Sequence, residues 1–478
     1  MTTEAMPGDE IAYLSALELR ERYRRRDLSP VEVAEATLQR IDRLNPRYTA
    51  FITVTPELAM AQARAAEAAY TRGGDPAPLA GVPLSIKDLT PTRGIRTTRG
   101  SLLDPNWIPD EDPPFVERSY AAGGVMLGKT NTPELGWKGD SGNRIVGPTH
   151  NPWRHGRTAG GSSGGAAAAV ALGFGPLAQG SDGAGSIRIP AAFCGVFGIK
   201  ASFGLVPQYP ASAVGDLSHL GPLTRTVRDA ALWLNVVAGA DARDRLSWSS
   251  GIDYLAACEG GVAGLRVAFS PTLGYARVRS DVRAAVERAA QRFSDLGCAV
   301  EAIDPPAANP WPILDLIWAS AMAGYFADTF AKVRDRLDPG LVKVIERGER
   351  ILAKDLLAAQ LRRNAYYQGM RQFMERFDLL LTPTLPITAF RAGADEPDAA
   401  DAEVETPLDW TPFTYPYNLT GQPAATVPCG FGDDGLPVGL QIVGRWKDDA
   451  TVLRAAAAFE EAQPWAEARP PVAAATKR

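Results

Sequence analysis

Apolar residues recur along this chain in two periodicities, and the longer one predicts amphipathic helices. The stretch that starts at Ser29 opens with a capping box, because Glu32 follows three residues later, and then places apolar side chains near helical spacing. Residues 282–296 carry apolar side chains at i, i+4, i+7, i+11 and i+14. The predicted helices span 29–44, 56–71, 223–237, 282–296 and 449–462.

Short apolar runs between these helices predict β-strands. Each run is bounded by glycine, proline or polar residues. Because the runs alternate with helical stretches, the pattern favours a sheet covered by helices over an all-α or all-β protein. The predicted strands span 82–86, 124–127, 265–269, 378–383, 424–428 and 439–443.

No repeat or long linker divides the chain, so a single domain over 1–478 is predicted. Residues 306–375 are rich in tryptophan, methionine and tyrosine and follow long helical patterns without a motif, which indicates a cap over a core. A surface loop is predicted over 392–406, where Asp, Glu, Ala and Gly dominate. The predicted parts are N-terminal helices at 1–75, a core at about 76–240 and 376–462, and a substrate cap at 265–375.

Composition and charge exclude several classes of protein. The 478 residues are 45% hydrophobic and 22% charged, and their net charge of −5 leaves no basic face for nucleic acid. No run approaches the roughly 18 apolar residues of a membrane helix, and the N-terminus lacks the parts of a signal peptide. Four widely spaced cysteines fit a reducing compartment. We therefore expect a cytoplasmic monomer or homodimer that binds a small molecule, with no nucleic acid and no membrane partner.

The histidines offer no obvious catalytic group. His150 and His155 lie in a loop rich in proline and arginine, and His219 precedes a Gly-Pro pair, so a structural role is expected for each. No cluster of metal-ligand spacing exists, and we expect neither a metal nor another cofactor. A serine nucleophile in this chain would need a base other than histidine.

The glycine-dense turn that ends in Ser186 is a candidate nucleophile site. The run DGAGS at 182–186 surrounds the hydroxyl with backbone N–H groups that almost no side chain obstructs. Such a turn can form an oxyanion hole. A phosphate nest and an ordinary tight turn are the alternatives, but the run lacks a Walker lysine-serine end. The candidate donors are the amides of Gly183, Ala184, Gly185 and Ser186.

A second glycine-rich turn and an upstream lysine complete the candidate site. The run GGSSGG at 160–165 has the composition of a flexible linker, but an apolar helical stretch follows at once, so Ser162 and Ser163 are expected to point inward. Lys87 ends an apolar strand, where a lysine is ordinarily a solvated edge residue. A buried lysine can instead serve as the neutral base that a serine nucleophile requires.

These motifs resemble those of the amidase signature family. The family's marks are Lys-Asp at the end of a strand, a GGSSGG loop and Asp-x-x-Gly-Ser-Ile-Arg-x-Pro, and this chain carries them at 87–88, 160–165 and 182–190. The resemblance covers nearly the whole chain and is weakest over 270–375. It implies an α/β fold with a large, mixed, twisted central β-sheet covered by helices on both faces. Further matches lie at 128–131, 151–153, 221–225 and 436–441.

The resemblance also implies a role for each candidate residue. Ser186 would attack the carbonyl, Ser162, which would follow a cis peptide bond, would relay the proton, and Lys87 would be the neutral base. The reaction implied is cleavage of carboxamide-type C–N bonds, in amides, anilides or carbamates, through an acyl-enzyme. Supporting positions are Ser163, Asp182 and Arg188.

The substrate pocket is the least defined part of the resemblance. A wall of the substrate site is expected at Gly136 and Trp137. Aromatic residues in the predicted cap suggest an apolar acyl or aryl pocket, and plain core packing is the alternative. These aromatics are Trp311, Trp318, Tyr325 and Phe326.

Two departures from the family's patterns bear on function. Many members have Thr-Gly where this chain has Gly183 and Ala184, a change that keeps every backbone N–H. The glutamine-hydrolysing component of tRNA-dependent amidotransferases usually carries an acid near 413–414; the chain has Thr411 there, with Asp409 as a shifted stand-in. That glutaminase is the alternative enzyme. A non-catalytic binding protein is the other alternative, although no candidate catalytic residue is missing.

Overall fold

The computed structural model describes residues 9–73, 76–398 and 410–472, and in these ranges the chain folds around one large β-sheet. The strands are β1 Phe51–Val54, β2 Pro83–Lys87, β3 Val125–Thr130, β4 Leu177–Asp182, β5 Phe197–Lys200, β6 His219–Thr224, β7 Arg266–Phe269, β8 Ala299–Ala302, β9 Leu379–Pro383, β10 Ala424–Phe431 and β11 Pro437–Gly444.

Helices connect and cover these strands. They are α1 Asp9–Ala12, α2 Ala16–Arg25, α3 Pro30–Tyr48, α4 Pro56–Arg72, α5 Pro114–Ala121, α6 Gly164–Ala171, α7 Arg188–Cys194, α8 Val227–Val237, α9 Tyr254–Ala257, α10 Ser280–Asp295, α11 Trp311–Tyr325, α12 Phe330–Val333, α13 Pro339–Gly348, α14 Ala353–Arg376, α15 Pro416–Thr420 and α16 Asp449–Ala462. Short 3₁₀ turns lie at Glu134–Gly136, Gly215–Leu217 and Arg334–Arg336. No helix among the described residues is long and apolar enough to cross a membrane.

The sheet is mixed, as predicted. Its strand order is β1-β3-β2-β4-β6-β5-β10-β11-β9-β7-β8. Strands β3, β2 and β4 run parallel, as do β9, β7 and β8, and the remaining pairs are antiparallel. The parallel group that contains β2 and β4 positions the site described below, because the carboxyl ends of parallel strands meet at one edge.

Helices pack on both faces of the sheet, and the alternation of strand side chains shows why. In β9, Leu379 and Leu381 belong to the core cluster that holds Trp233 of α8. The intervening Leu380 belongs to a different cluster, with Phe373 of α14. Because neighbouring residues of a strand point to opposite faces, each face of this strand is buried against a helix.

Most predicted elements are confirmed within a few residues. Helix α3 begins after the predicted capping box, where the Ser29 amide donates to Glu32 Oε2 at 2.8 Å. The helix predicted over 223–237 is wrong at its start, because residues up to Thr224 extend β6. The Thr226 side chain then accepts from the Asp229 amide at 3.2 Å and caps α8. A continuous apolar run had concealed this boundary between strand and helix.

The predicted parts of the domain need correction at two places. Residues 1–75 include strand β1, which pairs with β3, and therefore do not hold helices alone. The cap predicted over 265–375 begins too early, because β7 and β8 pair with the sheet and α10 packs on it. Helices α11, α13 and α14 pack against one another outside the sheet. Of the loop predicted over 392–406, residues 392–398 contain no helix or strand, and 399–406 lie outside the described residues.

Candidate active site

The site lies beyond the carboxyl ends of the parallel strands β2 and β4. Lys87 is the last residue of β2, and Asp182 is the last residue of β4. The Lys87 amide donates to Gln179 Oε1 of β4 at 3.0 Å, which fixes the end of one strand against the other. Both turns singled out in the sequence connect to β4: α6 follows the GGSSGG turn and precedes this strand, and the Ser186 turn follows it.

Lys87 is fully buried and lies at the centre of a cluster of serine hydroxyls. Its Nζ atom lies 2.7 Å from Ser162 Oγ, 2.9 Å from Ser163 Oγ and 3.0 Å from Ser181 Oγ. Burial lowers the pKa of Lys87 well below its usual value, and the nearby carboxylate of Asp182 only partly opposes that effect. The lysine predicted as a candidate base is therefore in an environment that favours its neutral form.

The GGSSGG turn leads into a buried helix, so its serines point inward as expected. The Gly161–Ser162 peptide bond is cis, as the resemblance implied. A Cβ atom at Gly161 would lie 2.7 Å from the backbone of Asp140, so only glycine fits this close approach. Ser141 binds both sides of the turn, since its hydroxyl donates to the Gly160 carbonyl at 2.9 Å and accepts from the Gly164 amide at 2.7 Å.

The turn around Ser186 is held by a buried ion pair between Asp182 and Arg188. Arg188 donates to both carboxylate oxygens of Asp182 at 3.0 Å, and both side chains are fully buried. Although burial alone would raise it, Arg188 holds the pKa of Asp182 below its usual value. The Ser163 amide donates to the Ser186 carbonyl at 3.2 Å and ties the two turns together. Asp182, Arg188 and Ser163 thus lie where their predicted supporting roles require.

One of the four predicted oxyanion donors is already engaged. The Gly185 amide donates to Asp182 Oδ1 at 2.7 Å, so its N–H is directed at the carboxylate instead of the cavity. The amides of Gly183, Ala184 and Ser186 donate to no protein group in the described parts of the chain. The prediction is therefore corrected to three candidate donors. The sequence could not reveal this, because it depends on the rotamer of Asp182.

A cavity of about 240 Å³ opens above these turns. Ser162, Ser181 and Ser186 all line it, together with Gly183. Gly136 lines it as well: a Cβ atom there would lie 3.2 Å from Ser162 Oγ, and the φ angle of +75° also favours glycine. The apolar part of the lining includes Leu89, Leu135, Val214, Leu220, Trp318 and Met322.

The aromatic residues predicted around the substrate divide into two groups. Trp318 and Tyr325 line the cavity. Trp137 does not: its ring packs against Gly340 of α13, so the prediction that it contacts substrate is wrong, since its side chain points away from the wall that Gly136 forms. Trp311 stacks edge-on against Tyr415, and Phe326 is buried in the helical cluster; these two therefore match the alternative of core packing.

Two residues that contact Lys87 were missed in the sequence. Gln179 and Ser181 are two positions apart in β4, so their side chains point to the same face of the strand. Gln179 accepts from the backbone of Lys87 and from the Thr90 hydroxyl, and Ser181 accepts from Nζ. Period-two spacing directly before the Asp182 motif was the available signal.

The remaining candidates lie away from the cavity. His150 and His155 stack on each other with ring centroids 4.0 Å apart, and the buried His219 lies within 2.9 Å of the Leu217 carbonyl. Thr411 does not line the cavity, and Asp409 lies outside the described residues. The described residues contain no group of three or more histidines, cysteines or carboxylates that could hold a metal ion.

Comparisons with known proteins agree with this architecture. A family model described as Amidase matches residues 32–453. An acylamidase from Rhodococcus erythropolis is 41% identical over 474 residues, covering 97% of this chain and 98% of that protein. The glutamine-dependent relative from Carboxydothermus hydrogenoformans, one component of its glutamyl-tRNA(Gln) amidotransferase, is 38% identical, with 96% and 99% covered. The crystal structure of a bacterial aryl acylamidase of the amidase signature family superposes with a TM-score of 0.89, at 33% identity, with 96% and 98% covered.

The fold, the family match and these relatives together define an amide-cleaving enzyme. The chain belongs to the amidase signature family.

Proposed function

We propose that this chain is a free-standing amidohydrolase that cleaves C–N bonds of small carboxamides through an acyl-enzyme on Ser186. The observation that carries the proposal is the 2.7 Å contact between Lys87 Nζ and Ser162 Oγ, at the floor of the cavity that Ser186 also lines. A buried lysine with a lowered pKa can take a proton, and a hydroxyl that reaches the cavity can deliver one.

The proposed reaction starts with attack of Ser186 Oγ on the amide carbon. The Ser186 proton passes to Ser162, whose own proton passes to Lys87. The negative charge that develops on the carbonyl oxygen is stabilised by the free amides of the Ser186 turn. When the C–N bond breaks, the proton returns through Ser162 to the leaving nitrogen. Water then attacks the acyl ester by the same route in reverse and releases the acid.

The cavity lining supports substrates with an apolar acyl or aryl group. Leucine, valine, methionine and tryptophan side chains surround the three serines, and burial of apolar surface is the main source of affinity in such sites. The similarity to an acylamidase and to an aryl acylamidase supports the same class. We therefore propose acyl amides, anilides or carbamates as substrates.

The similarity to an amidotransferase component makes glutamine the competing substrate. Glutamine carries an ammonium group, which a buried site would have to pair with a carboxylate. Among the described residues that line the cavity there is no aspartate or glutamate. This lining favours the acylamidase-like function over the glutaminase.

A substrate panel tests the proposal with purified protein and no added partner. We expect turnover of anilides or other simple amides, slow or absent turnover of glutamine, and a loss of about 10⁴-fold or more in Ser186→Ala. Ser85→Ala is the matched control, because the buried Ser85 hydroxyl has no hydrogen-bond partner and lies outside the cavity. Wild-type turnover in Ser186→Ala, or glutamine as the sole substrate, would refute the proposal.

A further inference from the structure

One charged side chain among the described residues lines the cavity, and the proposed reaction does not use it. Arg99 lies in the loop after β2, next to the wall formed by the Glu134–Gly136 turn. Its carbonyl accepts from the Leu135 amide at 2.8 Å, and Leu135 precedes the glycine that contacts Ser162. The Arg99 backbone is thus fixed beside the catalytic serines.

The Arg99 guanidinium is oriented by aromatic residues. Its Nη1 atom donates to the Tyr325 hydroxyl at 3.1 Å, and its central carbon lies 4.1 Å from the centroid of the Trp107 ring. No carboxylate in the described ranges lies within ion-pair distance of it, whereas the partly buried Arg279 and Arg363 both pair with aspartates. Arg99 therefore keeps an unneutralised charge and four unused N–H donors at the cavity.

Helix α11 sets the distance between this charge and the proposed reaction centre. Trp318 and Tyr325 both line the cavity and are seven residues apart, which is two turns or about 10 Å along the axis. Trp318 marks the reaction end, since a Cβ atom on Gly183 would lie 3.0 Å from its ring. Tyr325 marks the end where Arg99 is held.

We propose that Arg99 is a specificity-determining residue that binds a carboxylate carried by the substrate about 10 Å from the scissile amide. A planar guanidinium with free N–H groups matches a carboxylate in a bidentate geometry. The inference rests on the proposed function, and it narrows the substrates to amides with an apolar body and a distal anionic group.

Pairs of matched anilides test the proposal. In each pair one acyl chain ends in a carboxylate and the other in a methyl group, and a second series carries the carboxylate on the amine portion instead. We expect wild type to prefer the anionic member in one series. In Arg99→Gln, kcat/KM for that member should fall by about tenfold or more, while its neutral partner is unchanged.

Three control variants separate charge recognition from a structural role. Arg99→Lys keeps the charge but loses the planar fork, so we expect an intermediate preference. Tyr325→Phe removes the hydroxyl partner and should retain most of the preference. Arg93→Gln removes a charge from the same loop, and we expect no change, because Arg93 is exposed, pairs with Asp112 and does not line the cavity.

Binding to Ser186→Ala, measured by calorimetry, makes the outcome independent of turnover. We expect tighter binding of the anionic member than of its neutral partner, and equal binding once Arg99→Gln is added. Equal affinities in both series with Arg99 present, or an equal loss for both members in Arg99→Gln, would overturn the proposal. Failure of wild type to hydrolyse any amide would instead refute the proposed function, while the binding difference would still report on Arg99.

Discussion

Two fully buried lysines lie on neighbouring parallel strands of this enzyme, and only Lys87 is part of the proposed mechanism. Lys87 ends β2, and Lys129 lies near the end of β3, where the register pairs it with Ile86. Burial lowers the pKa of both, that of Lys129 to about 8. Sequence, burial and charge state therefore do not distinguish them.

Their hydrogen-bond acceptors do. Lys87 contacts three serine hydroxyls, and two of these, Ser162 and Ser181, line the cavity. Lys129 donates to the Thr90 carbonyl and to the hydroxyls of Thr92 and Thr97, neither of which reaches the cavity. A carbonyl cannot pass on a proton. The comparison indicates that a buried neutral lysine becomes a base only where a hydroxyl connects it to substrate.

The strongest test replaces each lysine by methionine. We expect Lys87→Met to lower kcat/KM by roughly 10³-fold or more with the fold intact, because general base catalysis is lost. In Lys129→Met, kcat should stay within a few-fold of wild type. Its free energy of unfolding should fall by about 2–4 kcal/mol, since buried acceptors lose their donor. Urea denaturation and steady-state kinetics measure both quantities, and equal losses of kcat in the two variants would contradict the comparison.

A second test removes one hydroxyl from each lysine. Ser181→Ala should lower kcat/KM about tenfold, because Nζ loses one of the partners that position it. A hydroxyl that accepts from Nζ also favours the charged form, so its removal should lower the pKa of Lys87 and move the acid limb of the rate profile to lower pH. Thr97→Val, the matched change beside Lys129, should leave that limb in place. Matching shifts in the two variants would argue against separate roles.

The sequence predicted the parts of this site that depend on local chemistry. Glycine-dense turns around Ser162 and Ser186, and an apolar strand that ends in Lys87, are readable because each motif is contiguous. The orientation of Trp137 was not readable, since adjacent residues can point to opposite sides of a wall. The pairing of β7 with β9 spans more than a hundred residues, so no local pattern distinguishes that strand from the cap.

The smallest expected effect is on the pH dependence of stability. Lys129 has a pKa of about 8 when folded and about 10.4 when unfolded, so between these values the unfolded chain binds more protons. Its contribution to the free energy of unfolding therefore rises with pH from about 8 to 10.4 and is constant outside that window. Subtracting the urea-derived profile of Lys129→Met from that of wild type should reveal this rise. A flat difference would show that Lys129 is not neutral in the fold.

The rate at which a fluorophosphonate labels Ser186, followed by intact-mass spectrometry across pH, tests the connection of Lys87 to Ser186 most directly. Wild type and Lys129→Met should show the same labelling rate constant, which rises with pH to a plateau at an apparent pKa well below that of free lysine. Lys87→Met should react slowly and lack that rise. Equal labelling of Lys87→Met and wild type at every pH would contradict the account.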